Sequence, residues 1–253
     1  MNRRLIELLF PPRCAACREL LTLKEREGGA LCTSCMAEWR AATEVKCEKC
    51  FLAAKECHCQ TELLESVSCK AFYKAVYYLH GKDNPVQNRI IYRIKNTRDR
   101  RTIEFLAGEL AELLPKDELE NTALSYIPRR RRAYLENGTD QARELANALS
   151  KVLGIPVLQC LTRKKGRELE QKKLSPGERW RNARASYAVR DRAFRGMHVF
   201  LVDDIVTTGS SLAACVQKLL RAGAVSVSCI AIASDDGNRI PVAVALKKDS
   251  LFH

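Results

Sequence analysis

The sequence has no run of eighteen apolar residues, so no membrane-spanning helix is expected. Its first stretch, MNRRLIELLFPPRC, starts basic, but Glu7 interrupts the apolar run and Pro11-Pro12 closes it, which makes a poor secretory signal. A cytoplasmic protein with reduced thiols is the expectation. Histidine is scarce: there are four, and His80, His198 and His253 stand isolated. No Ser/His/Asp or Cys/His nucleophilic set stands out, and these histidines read as ordinary surface or strand-edge residues. Aromatics make up 6% of the chain, which leaves little material for stacking bases. Apart from short cysteine turns, no internal repeat is visible.

Cysteine is plentiful. Eight of the twelve fall in the first 59 residues, as Cys14-x-x-Cys17, Cys32-x-x-Cys35, Cys47-x-x-Cys50 and Cys57-x-Cys59. Each turn puts two thiolates on one side of a metal, and two turns close a tetrahedral zinc shell. Two structural Zn²⁺ ions follow, most simply with Cys14, Cys17, Cys32 and Cys35 on one and Cys47, Cys50, Cys57 and Cys59 on the other. An interleaved pairing, or His58 in place of Cys57 or Cys59, remains open. With few apolar residues to bury, such a module takes most of its folding energy from metal. Cys69, Cys160, Cys215 and Cys229 lie mostly within apolar runs and read as core residues.

At 253 residues and 46% hydrophobic, the chain is long enough for a core and a smaller module. Beyond residue 68 its texture alternates between strand and helix. Val67 to Tyr78 reads as extended, Arg98 to Leu114 as an amphipathic helix, and Ala123 to Ile127 as a strand stopped by Pro128. Asp140 to Leu153 is a second amphipathic helix ended by Gly154. Ile155 to Leu161 is a strand, Arg163 to Arg184 a basic mobile loop, and Ala185 to Val189 a short strand. An apolar run from Val199, a helix from Ser210 to Ala222, and a continuous apolar strand from Val225 to Ala233 follow. This order predicts an α/β fold with an open, mainly parallel sheet over residues 69–253, behind an N-terminal zinc-ribbon module over residues 1–68.

The most specific stretch is Val199 to Leu212, VFLVDDIVTTGSSL. Two adjacent carboxylates at the mouth of a core strand repel each other and lose solvation unless a ligand uses them. Ligands of open α/β sheets bind beyond the carboxyl ends of the strands, where a helix N-terminus offers free N–H groups. Thr207, Thr208, Gly209, Ser210 and Ser211 suit a phosphate cradle there, and Asp203 and Asp204 can accept from vicinal hydroxyls. A phosphate beside two hydroxyls describes ribose 5-phosphate.

This stretch resembles the 5-phosphoribosyl 1-diphosphate (PRPP) signature of type I phosphoribosyltransferases. With the cysteine turns, IIYRIKNTRDRR, IPRRRR, DQARELA, Arg163, Gln171, Leu174 and SPGERWRNA, nearly the whole chain resembles the ComF family, phosphoribosyltransferase-like proteins associated with DNA uptake. By position the resemblance implies that Lys95 and the Pro128-Arg129-Arg130 turn face the diphosphate, with Arg129 and Arg130 joining Asp203 and Asp204 as catalytic residues. It implies that PRPP is held by Lys95, Asp203, Asp204 and residues 207–211, with Mg²⁺ bridging diphosphate and ribose oxygens. Gln171, Arg179 and Asn182 match residues of the family's basic loop. One departure is Asn137-Gly138-Thr139-Asp140-Gln141, where the family commonly has Arg-Gly-Phe-Asn-Gln.

Two functions fit. One is a PRPP-dependent transferase with an unknown acceptor. The other is a non-catalytic platform for PRPP and single-stranded DNA that meets DNA-uptake proteins through the zinc module. Residues 129–197 hold 18 Lys and Arg against 7 Asp and Glu, which places most of the chain's net charge of +13 in one segment suited to phosphate backbones. The competing reading is a solvated loop whose charge serves only the diphosphate.

Overall fold

The structure is a computed structural model that describes residues 11–27, 29–80, 84–96, 99–129, 140–164, 176–235 and 239–240. The cysteine-rich part carries helices α1 (Leu23–Glu27) and α2 (Thr33–Thr43), the two-residue strand β1 (Lys46–Cys47), and the short helix α3 (Glu62–Ser66). Thr61 caps α3, its side chain accepting from the Leu64 N–H. Strand β2 (Phe72–Tyr77) is followed by α4 (Val86–Asn96) and α5 (Arg100–Ala111), the latter capped by Asp99. Then come β3 (Thr122–Tyr126) and α6 (Gln141–Leu153), which Asp140 caps and Gly154 ends in the left-handed region at φ 72°. The remaining elements are β4 (Leu161–Arg163), α7 (Pro176–Ser186), β5 (Tyr187–Val189), β6 (His198–Val206), α8 (Ser210–Arg221), β7 (Ser226–Ser234) and β8 (Arg239–Ile240).

The central sheet has the order β2-β7-β6-β3, and all its pairings are parallel. A single parallel bridge, Leu124 to Val157, continues it past β3. The pairs β1-β8 and β4-β5 are small antiparallel ladders outside it. Along β6 the side chains alternate as a pleat requires. Phe200 and Val202 join α4, α5 and α6 in the core on one face, while Val199 and Leu201 join α8 on the other. Burial on both faces explains why the strand reads as an unbroken apolar run. The four lone cysteines, Cys69, Cys160, Cys215 and Cys229, are all buried in the second core, as a small hydrophobe would be.

Several expectations are corrected. Residues 155–161 do not form one strand: Val157 makes an isolated bridge and the strand begins at Leu161. The supposed loop from Arg163 to Arg184 ends in the helix α7, whose first residue, Pro176, has the fixed φ that suits a helix start. Helix α4 is an addition to the elements expected from the sequence, with Val86, Ile90, Ile91 and Ile94 lining its buried side. The cysteine-rich part is also better packed than its composition implies. Trp39 on α2 is fully buried, edge-on to Phe105 at 5.6 Å, and donates its indole N–H to Glu109 Oε2 at 2.7 Å. Leu21, Ala30, Leu31, Trp39 and Ala42 belong to the same core as Ile90, Leu106 and Ile230, so one core runs through the ribbon and the sheet.

Leu64 makes the corresponding link on the other face, fully buried among Leu212, Val216 and Leu219. Leu64→Ala is expected to lower global stability in denaturant unfolding by about 2–5 kcal/mol in a single transition. A loss below about 1 kcal/mol would show that α3 is not part of the domain core.

Candidate functional site

The acidic pair lies near the carboxyl end of β6, and the strand runs through both aspartates to Val206. Asp203 Oδ1 accepts from the Asp204 N–H at 2.9 Å, and Asp204 Oδ1 accepts from the Ile205 N–H at 2.7 Å. Burial, with the Asp204 charge beside it, pushes the Asp203 carboxyl well above the usual carboxylate range. Lys95, near the end of α4, reaches Asp204 Oδ2 at 3.5 Å. Gln141 is buried at the start of α6 and organises the neighbourhood. Its amide donates to the carbonyls of Ile94 and Lys95 at 3.1 and 3.5 Å, and its Oε1 accepts from the Arg129 guanidinium. Asp140 accepts from the Arg129 N–H at 3.3 Å while capping α6. Asp140 is one of the residues that depart from the family pattern, and the contact gives it a clear role in fixing the turn that carries Arg129. Burial raises the Asp140 carboxyl as well, against the pull of the Arg143 and Arg129 N–H groups. Arg130, Arg131, Lys165, Gln171, Leu174 and residues 137–139 lie outside the described residues, as does the side chain of Arg179.

After β6 the chain turns through Thr207 and Thr208 to Gly209, which caps α8 from the left-handed region at φ 72°. Thr208 and Ser210 join hydroxyls at 2.8 Å. Ser211 accepts from the Tyr187 hydroxyl at 3.3 Å, and that hydroxyl accepts from Arg163 at 3.0 Å. Burial pushes the Tyr187 phenol up to about 12 despite the nearby Arg163 charge, so it remains a donor at neutral pH. A Cβ built on Gly209 would overlap the Thr61 hydroxyl. A bulky residue at 209 would therefore first meet the segment leading from the ribbon. Gln141, Tyr187 and Thr61 carry no sequence signal of their own, because each acts across a long separation.

The eight N-terminal cysteines form two clusters, Cys14/Cys17/Cys32/Cys35 and Cys47/Cys50/Cys57/Cys59, with the sulfurs of each within 4.8 Å of one another. Tetrahedral Zn–S bonds of ~2.3 Å imply S···S edges of roughly 3.8 Å, and Cys17 Sγ lies 3.6 Å from Cys32 Sγ. The donor set and spacing therefore fit zinc. His58 is in neither cluster; its ring packs edge-on to Tyr73 at 5.0 Å. At the second cluster the fully buried Lys74 donates to Cys57 O at 2.9 Å and Cys57 Sγ at 3.3 Å.

Residues 5–71 match a double zinc ribbon domain and residues 139–249 a phosphoribosyl transferase domain. A relative from Salmonella typhimurium, "DNA utilization protein YhgH", is 31% identical over 153 residues. That match covers 56% of this chain and 65% of the relative, and the same protein of Salmonella typhi matches to the same extent. A double zinc ribbon followed by a phosphoribosyl transferase domain, together with this relative, supports the resemblance to the ComF family. Among solved structures, a purine phosphoribosyltransferase from Pyrococcus horikoshii is 18% identical, covering 53% of this chain and 73% of its own, at a TM-score of 0.33. An adenine phosphoribosyltransferase from Thermoanaerobacter pseudethanolicus is 15% identical, covering 56% and 73%, at 0.37. Among the described residues, no helix of this chain is long and apolar enough to cross a membrane.

Because the ribbon shares the domain core, metal loss should reach further than a detached module would allow. Cys14→Ser and Cys47→Ser are each expected to remove about one zinc per chain by elemental analysis, and Cys14→Ser to lower the unfolding temperature of the whole protein. Full zinc content in either variant would refute the cluster assignment.

Proposed function

We propose that this chain, as a member of the ComF family, binds PRPP at the carboxyl edge of its sheet and transfers the 5-phosphoribosyl group to an acceptor. The observation that carries this reading is the convergence of Lys95, Arg129 and Asp204, tied together through Gln141, at the head of the Thr207–Ser211 turn. Asp203 and Asp204 accept from the two ribose hydroxyls. The N–H groups and hydroxyls of residues 207–211 hold the 5-phosphate, with the α8 N-terminus adding its positive dipole end. Lys95, Arg129 and Arg130 face the diphosphate, whose departure from C1 they favour by neutralising charge that grows as the C1–O bond loosens. Mg²⁺ suits two carboxylates together with ligand phosphate oxygens, and when bound it would add to that neutralisation. Residues 1–68 as zinc module, residues 69–253 as the ligand-binding domain, and a cytoplasmic location complete the proposal.

Calorimetry with Mg²⁺–PRPP and with ribose 5-phosphate tests it. The ribose hydroxyls each lose a charged acceptor in the variant Asp203→Asn with Asp204→Asn, at about 1.5–3 kcal/mol apiece, so affinity should fall at least about a hundred-fold. The same change should raise stability without ligand. A carboxyl whose folded pKa is raised holds its proton more tightly when folded, so stability falls as pH climbs from about 3.9 towards the raised value, and an amide removes that loss at neutral pH. No heat from either ligand with the wild type, or wild-type affinity in the double variant, would sink the reading.

The excess of basic residues over 129–197, in a chain similar to a protein named for DNA utilisation, favours a second role in binding single-stranded DNA. Arg181 and Arg184, exposed on α7, are part of it, Arg184 lying over Trp180 at 5.7 Å. Affinity should fall log-linearly with salt and drop for all sequences alike when Arg181, Arg184 and Lys164 are neutralised. Mobility shifts that are absent at low salt would leave the solvated reading standing.

A further inference from the structure

The hydroxyls of the Thr207–Ser211 turn are not equivalent. Those of Thr208 and Ser210 face each other at 2.8 Å, and the Ser210 N–H also donates to the Thr208 hydroxyl at 3.5 Å, so either hydroxyl can give the shared proton. Ser211, in the first turn of α8, belongs to a different line of contacts. It faces the hydroxyl of Tyr187, the first residue of β5, at 3.3 Å, and the Tyr187 oxygen lies 3.0 Å from Arg163 Nη1. Arg163 ends β4 and stands opposite Tyr187 across the β4-β5 ladder, its guanidinium 5.1 Å from the centre of the phenol ring. Just beyond that pair the Lys164 N–H donates to the Ser186 carbonyl at 2.8 Å, which closes the neck of the basic segment.

The direction of this line is forced by the groups in it. A guanidinium has donors and no acceptor, so the Tyr187 oxygen accepts from Arg163 and its own proton must go elsewhere. Among the described residues it goes to Ser211 Oγ. A serine hydroxyl has one proton and two lone pairs, and with one lone pair taken by Tyr187 the Ser211 proton is turned away from the phenol. That proton meets no acceptor among the described residues, and Ser211 is half-buried at the N-terminus of α8. A phosphate oxygen is the acceptor that suits it, since the free N–H groups of the same helix end favour an anion there. Tyr187 itself is only 1% exposed, so it can act on a ligand through Ser211 alone.

We propose that Tyr187 is a positioning residue for the 5-phosphate: held by Arg163, it donates to Ser211 and so sets the Ser211 hydroxyl as a donor to the ligand. The same contact ties the neck of the basic segment to the phosphate turn, so one phenol fixes the place of both. The inference rests on the PRPP reading, and the experiment separates the failure of one from the failure of the other.

Calorimetry on the full, zinc-loaded chain tests this with three probes: ribose 5-phosphate, Mg²⁺–PRPP and Mg²⁺–diphosphate, the last engaging only the end of the site near Lys95 and Arg129. Tyr187→Phe keeps the ring beneath Arg163 and removes only the hydroxyl. It should weaken ribose 5-phosphate and Mg²⁺–PRPP at least ~three-fold and leave Mg²⁺–diphosphate unchanged. Ser211→Ala loses the hydrogen bond to a charged group outright, so the same two probes should weaken roughly ten-fold or more. With Ser211→Ala already in place, Tyr187→Phe should add less than about two-fold, because the two residues act in series. The ³¹P resonance of bound ribose 5-phosphate gives a second signature. A hydrogen bond to the dianion favours the charged form, so the bound phosphate should titrate at higher pH in Tyr187→Phe than in the wild type. Wild-type affinity for both phosphate esters in Tyr187→Phe overturns the proposal and leaves the PRPP reading intact. A loss that extends to Mg²⁺–diphosphate, or that recurs in full beside Ser211→Ala, marks Tyr187 as a merely structural residue and overturns it too. No heat from ribose 5-phosphate or Mg²⁺–PRPP with the wild type would overturn the PRPP reading, and this inference with it.

Discussion

A buried ammonium has to find compensating charge or acceptors, because several kcal/mol of solvation are lost when it leaves water. Lys74 is such a group: fully buried on the edge strand of the sheet, between the rings of Phe72 at 5.0 Å and Tyr77 at 5.6 Å. Its acceptors belong to the ribbon, namely the carbonyls of Cys57 and Cys59 and the sulfur of Cys57. Four thiolates around one Zn²⁺ carry net negative charge, so ammonium and metal cluster each supply what the other lacks. The edge strand and the second cysteine cluster are therefore stable in this burial only together. That mutual need fixes where the ribbon sits on the sheet.

From that fixed point the chain leads to the Thr207–Ser211 turn within a few residues. Gln60, directly after Cys59, donates to the Cys69 carbonyl at 3.0 Å, and Thr61 caps α3 while its hydroxyl lies against Gly209. Gly209 stands at φ 72°, where a side chain is strained whatever the space, and the contact with Thr61 removes the space too. The glycine is thus required by backbone geometry and by the ribbon's approach before any ligand is considered. A metal cluster whose sequence looks like a separate module becomes one wall of the turn.

The parts of the fold legible from residues 1–253 are those governed by local pattern. The cysteine spacing, the caps at Asp140 and Gly154, the unbroken run of β6 and the glycine-bearing turn all depend on neighbours within a few positions. The less legible parts depend on distant partners. Helix α4 shows its apolar side only against Trp39 and the sheet, and α7 is too polar to announce a buried face. Val157 sits at a sheet edge where one bridge replaces a strand. Asp203, Asp204 and Lys95 stand out through a motif, whereas Gln141, 46 residues from Lys95 in sequence, is defined by what it joins. His80 and Asp235, 155 residues apart, look ordinary until two parallel strands end side by side and pair them.

The electrostatics of the site follow from this assembly. Asp203 and Asp204 repel one another on consecutive residues of a buried strand, and the backbone N–H groups of Asp204 and Ile205 offset only part of that repulsion. Lys95 adds a smaller offset, at a distance of 3.5 Å rather than in a tight pair, and it is held there by carbonyl contacts to a buried amide rather than by its own side chain. A site with residual like-charge strain and loosely engaged cations gains more from a ligand that brings hydroxyl donors to the carboxylates and phosphates to the cations than one whose charges are already tightly matched. Hydroxyls donated to Asp203 and Asp204 favour their charged forms, so ligand binding should draw the raised Asp203 carboxyl back down and release a proton wherever it was held. On the proposed reading, the arrangement of acids, cations and turn suits a molecule carrying both kinds of group at fixed separation, as ribose 5-phosphate does.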